Sequence, residues 1–313
     1  MESVQVFSTV FLSVLVGAIP FLLIAVLTSG LIEVFLSREL VERLLPKNKL
    51  LGVLVAPLVG FLLPLCECGI IPVSGRLMRK GIPTGVAVAF MLANPILNPF
   101  PLISTRLAFP FAPQMVIWRM VSAYGIAVFI GIILTVVEYS KPNFAVNRRY
   151  LSGGSMFELL SRPALQTSNL ALGTSVNAWT RISDVLAYAS VEFFHVGRYF
   201  IIGSFFAAAI NVFVSRDVLV SIGQGSTSSI IVMMIFAFFL SVCSEADAFV
   251  AASFQGSFPP GSLLAFMLFG PMVDVKNILM MFVTFRRNFV LWLVALVILT
   301  VFSISLIASS LFF

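Results

Sequence analysis

The sequence predicts an all-α polytopic membrane protein with eight hydrophobic segments in two inverted repeats, two of the segments re-entrant. Three observations predict it. Hydrophobic residues are 60% of the 313 residues and charged residues only 10%. An ordinary soluble domain is about a quarter charged, so this chain could not clothe a soluble surface. Mean hydropathy is +1.09. Polar residues also cluster at matching places in the two halves. This composition argues against cytosolic catalysis and against nucleic acid as a partner. The excess of 19 Lys+Arg over 13 Asp+Glu fits cytoplasmic loops and anionic lipid headgroups of the bilayer. Three cysteines are too few for a disulfide framework.

The eight segments run roughly over 6–35, 50–73, 82–103, 114–138, 183–213, 228–252, 261–283 and 288–313. The first is too long for a signal h-region, and only Glu2 precedes it, so it reads as a transmembrane helix kinked at Pro20. The second is cut by Cys66-Glu67-Cys68-Gly69 and the sixth by Cys243-Ser244-Glu245-Ala246-Asp247. Carboxylates in mid-segment are costly in lipid and should face a protein-lined or wet cavity. Eight full crossings place nine Lys+Arg on one side and eight on the other, which sets no orientation. Letting segments two and six dip in and return leaves fourteen inside and three outside: Arg106, Arg119 and Arg216. That asymmetry is what the positive-inside rule requires, and it favours six full spans with two re-entrant segments.

The halves also resemble each other in sequence. Val34–Glu39 matches Val212–Asp217 at an offset of 178, and Cys66 matches Cys243 at 177. Pro83 matches Pro260 at 177, and Ala89-Phe90-Met91-Leu92 with Pro95 matches Ala265-Phe266-Met267-Leu268 with Pro271 at 176. We therefore read residues 1–138 as a first membrane repeat, 139–182 as a cytoplasmic connector and 183–313 as a second repeat. Three spans and one re-entrant segment each would give the repeats opposite orientation. That is a common transporter architecture, with the solute site at the midplane between the repeats. The plainer reading is a duplication kept for stability.

All three cysteines lie in the paired motifs. Cys66, Cys68, Cys243 and Glu245 form a candidate set for a transported or bound thiophilic metal ion, because thiolates with carboxylate can make a tetrahedral site. No further cofactor is expected. The plainer reading makes each cysteine a small apolar residue in a packed helix. Glu67, Glu245 and Asp247 resist such a reading, because intramembrane acids are functional by default. A second paired feature is a broken helix: Asn94-Pro95-Ile96-Leu97-Asn98-Pro99 in segment three, and Gly270-Pro271 through Asp274, Lys276 and Asn277 in segment seven. Proline frees a backbone carbonyl, which lipid tolerates only beside protein or water. Asn94, Asn98, Asp274 and Lys276 are thus expected to shape the broken-helix ends around a solute. The alternative is a proline kink with polar residues at the far interface. Glu192, His195 and Arg198 share one stripe of segment five, as a relay, a gate or an internally neutralised stripe. No Walker A pattern is present, and one histidine excludes a His-Glu-x-x-His zinc protease, so no enzymatic activity is expected.

Pro-Leu-Cys-Glu-Cys-Gly-Ile-Ile-Pro-Val at 64–73, Lys-Gly-Ile-Pro at 80–83 and Ala-Phe-Met-Leu-Ala-Asn-Pro-Ile-Leu-Asn-Pro at 89–99 resemble the predicted-permease family that includes the organoarsenical efflux permease ArsP. Residues 244–251 and 269–277 resemble that family's second signature. The resemblance covers nearly the whole chain except the connector. It implies a permease of the bacterial inner membrane. The Cys-Glu-Cys-Gly form resembles the subgroup that is half of a two-component permease complex, with a second small membrane protein as companion. The expected function is movement of a small thiophilic or cationic solute, a metal or metalloid species, through a midplane site. Two competing readings are a membrane thiol oxidoreductase using Cys66 and Cys68, and a non-transporting subunit of a membrane complex.

Overall fold

A computed structural model describes residues 48–62, 67–79, 81–140 and 225–311, together with isolated positions in the first and fifth hydrophobic segments. Among the described residues there are helices and turns but no strands. In a bilayer every backbone polar group must be satisfied within the segment, and the helix is the local solution.

The helices come in two series. In the first, α1 (Lys49–Leu62) precedes α2 (Glu67–Arg79), α3 (Thr84–Leu97), α4 (Pro99–Ala108) and α5 (Gln114–Ser140). In the second, α6 (Ser226–Leu240) precedes α7 (Asp247–Ala252), α8 (Pro260–Met272), α9 (Val275–Thr284) and α10 (Arg287–Leu311). Four stretches of 25 residues are long and apolar enough to cross a membrane: Thr84–Ala108, Gln114–Glu138, Pro260–Thr284 and Arg287–Leu311. They correspond to segments three, four, seven and eight. Segment six is not a single rod: residues 241–246 between its two helices are non-helical. α1 has 14 residues and α6 has 15, about 21–22 Å at 1.5 Å per residue, against a hydrocarbon core of about 30 Å.

Every residue of α3 is buried, and so are Gly261 to Met272 of α8. These two helices are apolar all round because they are surrounded by protein, and they pack on each other at the centre. α5 and α10 lie outside them. α10 buries a stripe through Phe289, Leu293, Val297, Val301 and Ser305, while Leu291, Leu299 and Leu306 face outward. That spacing of four is one face of a helix, and the outward face suits lipid.

Close helix contacts need small residues. A Cβ on Gly85 of α3 would run into Thr135 and the Gly131 carbonyl of α5. A Cβ on Gly261 of α8 would lie 2.6 Å from the Ser305 carbonyl of α10. Glu138 closes the same α3–α5 contact by accepting hydrogen bonds from the Thr84 amide (2.9 Å) and the Thr84 hydroxyl (2.6 Å). A carboxylate at a helix start satisfies an amide left without an intrahelical partner.

The packing pattern recurs between the two series. α1, α3 and α5 pack mutually, as do α6, α8 and α10. α2 packs on α3 and α7 packs on α8. Across the series, α2 packs on α9 while α7 packs on α4.

Candidate functional site

The site is built around two helix breaks. Both fall inside the motifs singled out in the sequence, 94–99 and 270–277, though not at the first proline of either. Pro95 is accommodated inside α3 and Pro271 inside α8. The chain breaks instead at Asn98 and at Val273–Asp274, three residues after each proline. Pro99 then stands at the first position of α4, where its missing N–H costs nothing. Asn98 Oδ1 accepts from the Phe100 amide (3.3 Å), and Asp274 Oδ1 accepts from the Asn277 amide (2.6 Å). Both are N-caps, satisfying amides that the new helix leaves open. On the other side of the second break, Asn277 Nδ2 donates to the Pro271 carbonyl at 3.3 Å.

Lys276 lies in the first turn of α9. Its ammonium is 3.1 Å from Glu67 Oε1 at the start of α2 and 3.2 Å from Asp274 Oδ2. All three side chains are at most 3% exposed. Ser241 Oγ donates to the same Asp274 oxygen at 2.8 Å. Ser241 ends α6 in a left-handed conformation, φ 51° and ψ 43°, uncommon for a residue with a Cβ and held by its surroundings. A lysine buried this deeply needs paired carboxylates to offset its desolvation. Glu67 Oε2 has no hydrogen-bond partner among the described residues.

Arg119 organises a second cluster. It lies on α5, fully buried, with Asp247 Oδ2 at 2.8 Å. The same guanidinium donates to the Ser244 carbonyl (3.2 Å) and to Thr105 Oγ1 on α4 (2.6 Å). Its sulfur neighbour is Met267 of α8, at 3.9 Å. Two of these three ion pairs cross between the helix series: Lys276 of the second reaches Glu67 of the first, and Arg119 of the first reaches Asp247 of the second.

Glu245 lies on the non-helical stretch between α6 and α7, two residues before Asp247. It is half-buried. Among the described residues it has no ion-pair partner. Cys243, two residues earlier, is also half-buried, and its carbonyl accepts from the amides of Ala246 (2.9 Å) and Asp247 (3.0 Å).

Of the residues singled out in the sequence, Glu67, Asp274 and Lys276 meet directly, and Cys243, Glu245 and Asp247 share one turn. Asn98 caps α4. Asn94 packs against α1, where a Cβ on Gly60 would lie 3.0 Å from its Oδ1. Cys66, the side chain of Cys68, and Glu192, His195 and Arg198 lie outside the described residues. Among the described residues no three His, Cys, Asp or Glu side chains are grouped as metal ligands. Two corrections concern charge. Arg119 counts as an outside loop charge in the topology census, and Arg76 as an inside one, yet both are buried. Removing them leaves thirteen against two, so the asymmetry survives. Arg119, Thr105 and Ser241 are the site residues that sequence reasoning missed. A lone arginine five residues into an apolar segment was the available signal for the first.

Buried charges at helix breaks, inside a bundle of apolar membrane-length helices, define a multi-pass membrane protein with a polar interior of the kind permeases use. Residues 3–310 match the predicted-permease family, and the chain belongs to it. It is 42% identical over 300 residues to UPF0718 protein YcgR of Bacillus subtilis (strain 168), covering 96% of each chain. It is 37% identical over 282 residues to a Streptococcus mutans protein named as a candidate subunit of a two-component membrane permease complex, covering 90% of this chain and 88% of that one. UPF0718 protein YraQ of Escherichia coli (strain K12) is 31% identical over 80 residues, 26% of this chain and 23% of that one. No solved structure matches the chain. The protein is thus a multi-pass bacterial membrane protein of a permease family.

Proposed function

We propose that this permease moves a small thiophilic or cationic solute, a metal or metalloid species, past the turn that carries Cys243 and Glu245. The observation that carries the reading is a charge imbalance. Among the described residues, the acids Glu67, Asp274 and Asp247 pair with the cations Lys276 and Arg119, and Glu245 pairs with none. A half-buried carboxylate with no cation paired to it among the described residues is a poor place for an anionic solute and a favourable one for a cation. Cys243 next to Glu245, and Cys66 and Cys68 flanking Glu67, would add soft ligands to hard ones. A mixed set of this kind can bind a thiophilic ion and still release it.

We further infer that residues 1–138 and 183–313 are inverted repeats joined by a 139–182 connector, with the α1–α2 and α6–α7 units re-entrant. The recurring packing supports this, as does the crossed pairing of α2 with α9 and of α7 with α4. Asn98 and Asp274 are equivalent caps, and Gly85 and Gly261 equivalent close contacts, each at an offset of 176. A two-fold axis exchanges contacts in this reciprocal way. The name of the Streptococcus mutans relative supports a second small membrane protein as companion in the lipid bilayer.

Cells with and without this chain, each with and without the companion, should differ in their content of thiophilic metals or metalloids. Identical element contents under every combination would rule the proposal out.

A further inference from the structure

We propose that Arg119 is the positioning residue of the solute site. It latches the 243–247 turn onto the end of the molecule where α4 meets α5, and its release opens the path to Glu245 from that end. The proposal rests on the reading of Cys243 and Glu245 as solute ligands given above.

Three observations carry it. First, one guanidinium nitrogen holds the turn at two points on either side of Glu245, the Ser244 carbonyl at 3.2 Å and Asp247 Oδ2 at 2.8 Å. The turn is itself closed by the Ala246 and Asp247 amides on the Cys243 carbonyl, so it moves as a unit. Second, the other nitrogen is anchored to Thr105 Oγ1 at 2.6 Å, and that hydroxyl is fixed by donation to the Pro101 carbonyl at 2.7 Å. The latch therefore joins α4 and α5 of one helix series to the turn of the other. Third, Arg119 lies near one end. It is five residues from the start of α5 and Thr105 is three from the end of α4, so both are within about 8 Å of the connecting turn at 1.5 Å per residue. Lys276 and Glu67 do not lie near that turn in the chain; Lys276 follows the second break and Glu67 starts α2. A planar guanidinium suits the latch because it fixes several acceptors in one geometry, which an ammonium cannot. Buried ion pairs give little net stability over apolar packing, so a conformational role accounts for the pair better than a stabilising one.

The test reads the accessibility of Cys243 and needs no solute. A membrane-impermeant maleimide is applied to right-side-out and inverted vesicles, and the peptide containing Cys243 is quantified apart from the one containing Cys66 and Cys68. Phe111, 98% exposed in the α4–α5 turn, is replaced in a companion variant (Phe111→Cys) to mark which face that turn occupies. In the unaltered protein Cys243 should label slowly from both faces. Arg119→Gln should raise its rate by roughly a hundredfold, from the Phe111 face only. Thr105→Val should give a smaller rise on the same face. The exchange Arg119→Asp with Asp247→Arg should restore protection. Labelling from the opposite face, labelling equally from both, or continued protection in Arg119→Gln and Thr105→Val would each overturn the latch. If Arg119→Gln does not reach the membrane, Thr105→Val and the exchange variant decide by the same criterion. One-sided opening in a protein that never changes a cell's solute content would instead retain the latch and remove the solute reading.

Discussion

Asn98 and Asp274 cap the second halves of the two broken helices through the same kind of bond, but only Asp274 also holds a cation. Its Oδ1 accepts from the Asn277 amide while its Oδ2 takes both the Ser241 hydroxyl and the Lys276 ammonium. Asn98 accepts one bond, at 3.3 Å, from Phe100. One break is therefore a neutral joint, and the other ties the end of α6, the start of α9 and, through Lys276, the start of α2.

The two caps should respond unequally to alanine. Asn98→Ala should cost about 1 kcal/mol, the usual loss for a capping side chain. Asp274→Ala removes a cap and a carboxylate facing a buried lysine, and should cost about 3–5 kcal/mol. Thermal unfolding of the purified protein in one detergent would check this. Equal losses would mean that Asp274 acts as a cap alone.

Lys276→Met should destabilise by a similar amount, because it leaves Glu67 and Asp274 as buried carboxylates without a cation. Adding Glu67→Gln should recover part of the loss, since it removes one of the stranded charges. A double-mutant cycle measures the coupling directly. Strictly additive effects would show that Lys276 and Glu67 do not interact.

Glycine positions give a third contrast. Gly85→Val would drive a side chain into Thr135 and the Gly131 carbonyl, and should separate α3 from α5. Gly125→Ala meets nothing within 4 Å on the outward face of α5 and should be neutral or slightly stabilising. The yield of folded protein from membranes separates the two. A tolerated Gly85→Val would contradict the close α3–α5 contact.

The parts that were legible in the sequence are those set by composition and local chemistry. Low charge and long apolar runs give the membrane helices. Proline followed within four residues by asparagine or aspartate marks the broken helices, although Pro95 and Pro271 are absorbed and the breaks fall three residues later. Glu67, Asp274 and Lys276 stood out because charge inside an apolar run is expensive. Their pairing could not be read, since Glu67 and Lys276 are 209 residues apart and meet only through packing of α2 on α9. Arg119 was hidden by its place near a segment end, where an arginine ordinarily reaches headgroups. Its partner Asp247 lies 128 residues on, in a six-residue helix that no periodicity signals.

Glu245 and Asp247 should separate stability from transport. Asp247→Asn breaks the pair with Arg119, so unfolding temperature and transport should both fall. Glu245→Gln removes a charge that pairs with no cation among the described residues, so stability should hold or improve while transport is lost. A Glu245→Gln protein that unfolds early would place Glu245 among the structural acids.

The most direct measurement is solute movement in sealed vesicles holding this chain and its companion, with zinc, cadmium and arsenite as probes and bound element quantified over time. The unaltered chain should move at least one probe faster than vesicles lacking it, and Glu245→Gln at equal abundance should return the rate to background. Equal rates for the unaltered and Glu245→Gln proteins, or no movement of any probe, would contradict a cationic or thiophilic solute passing Glu245.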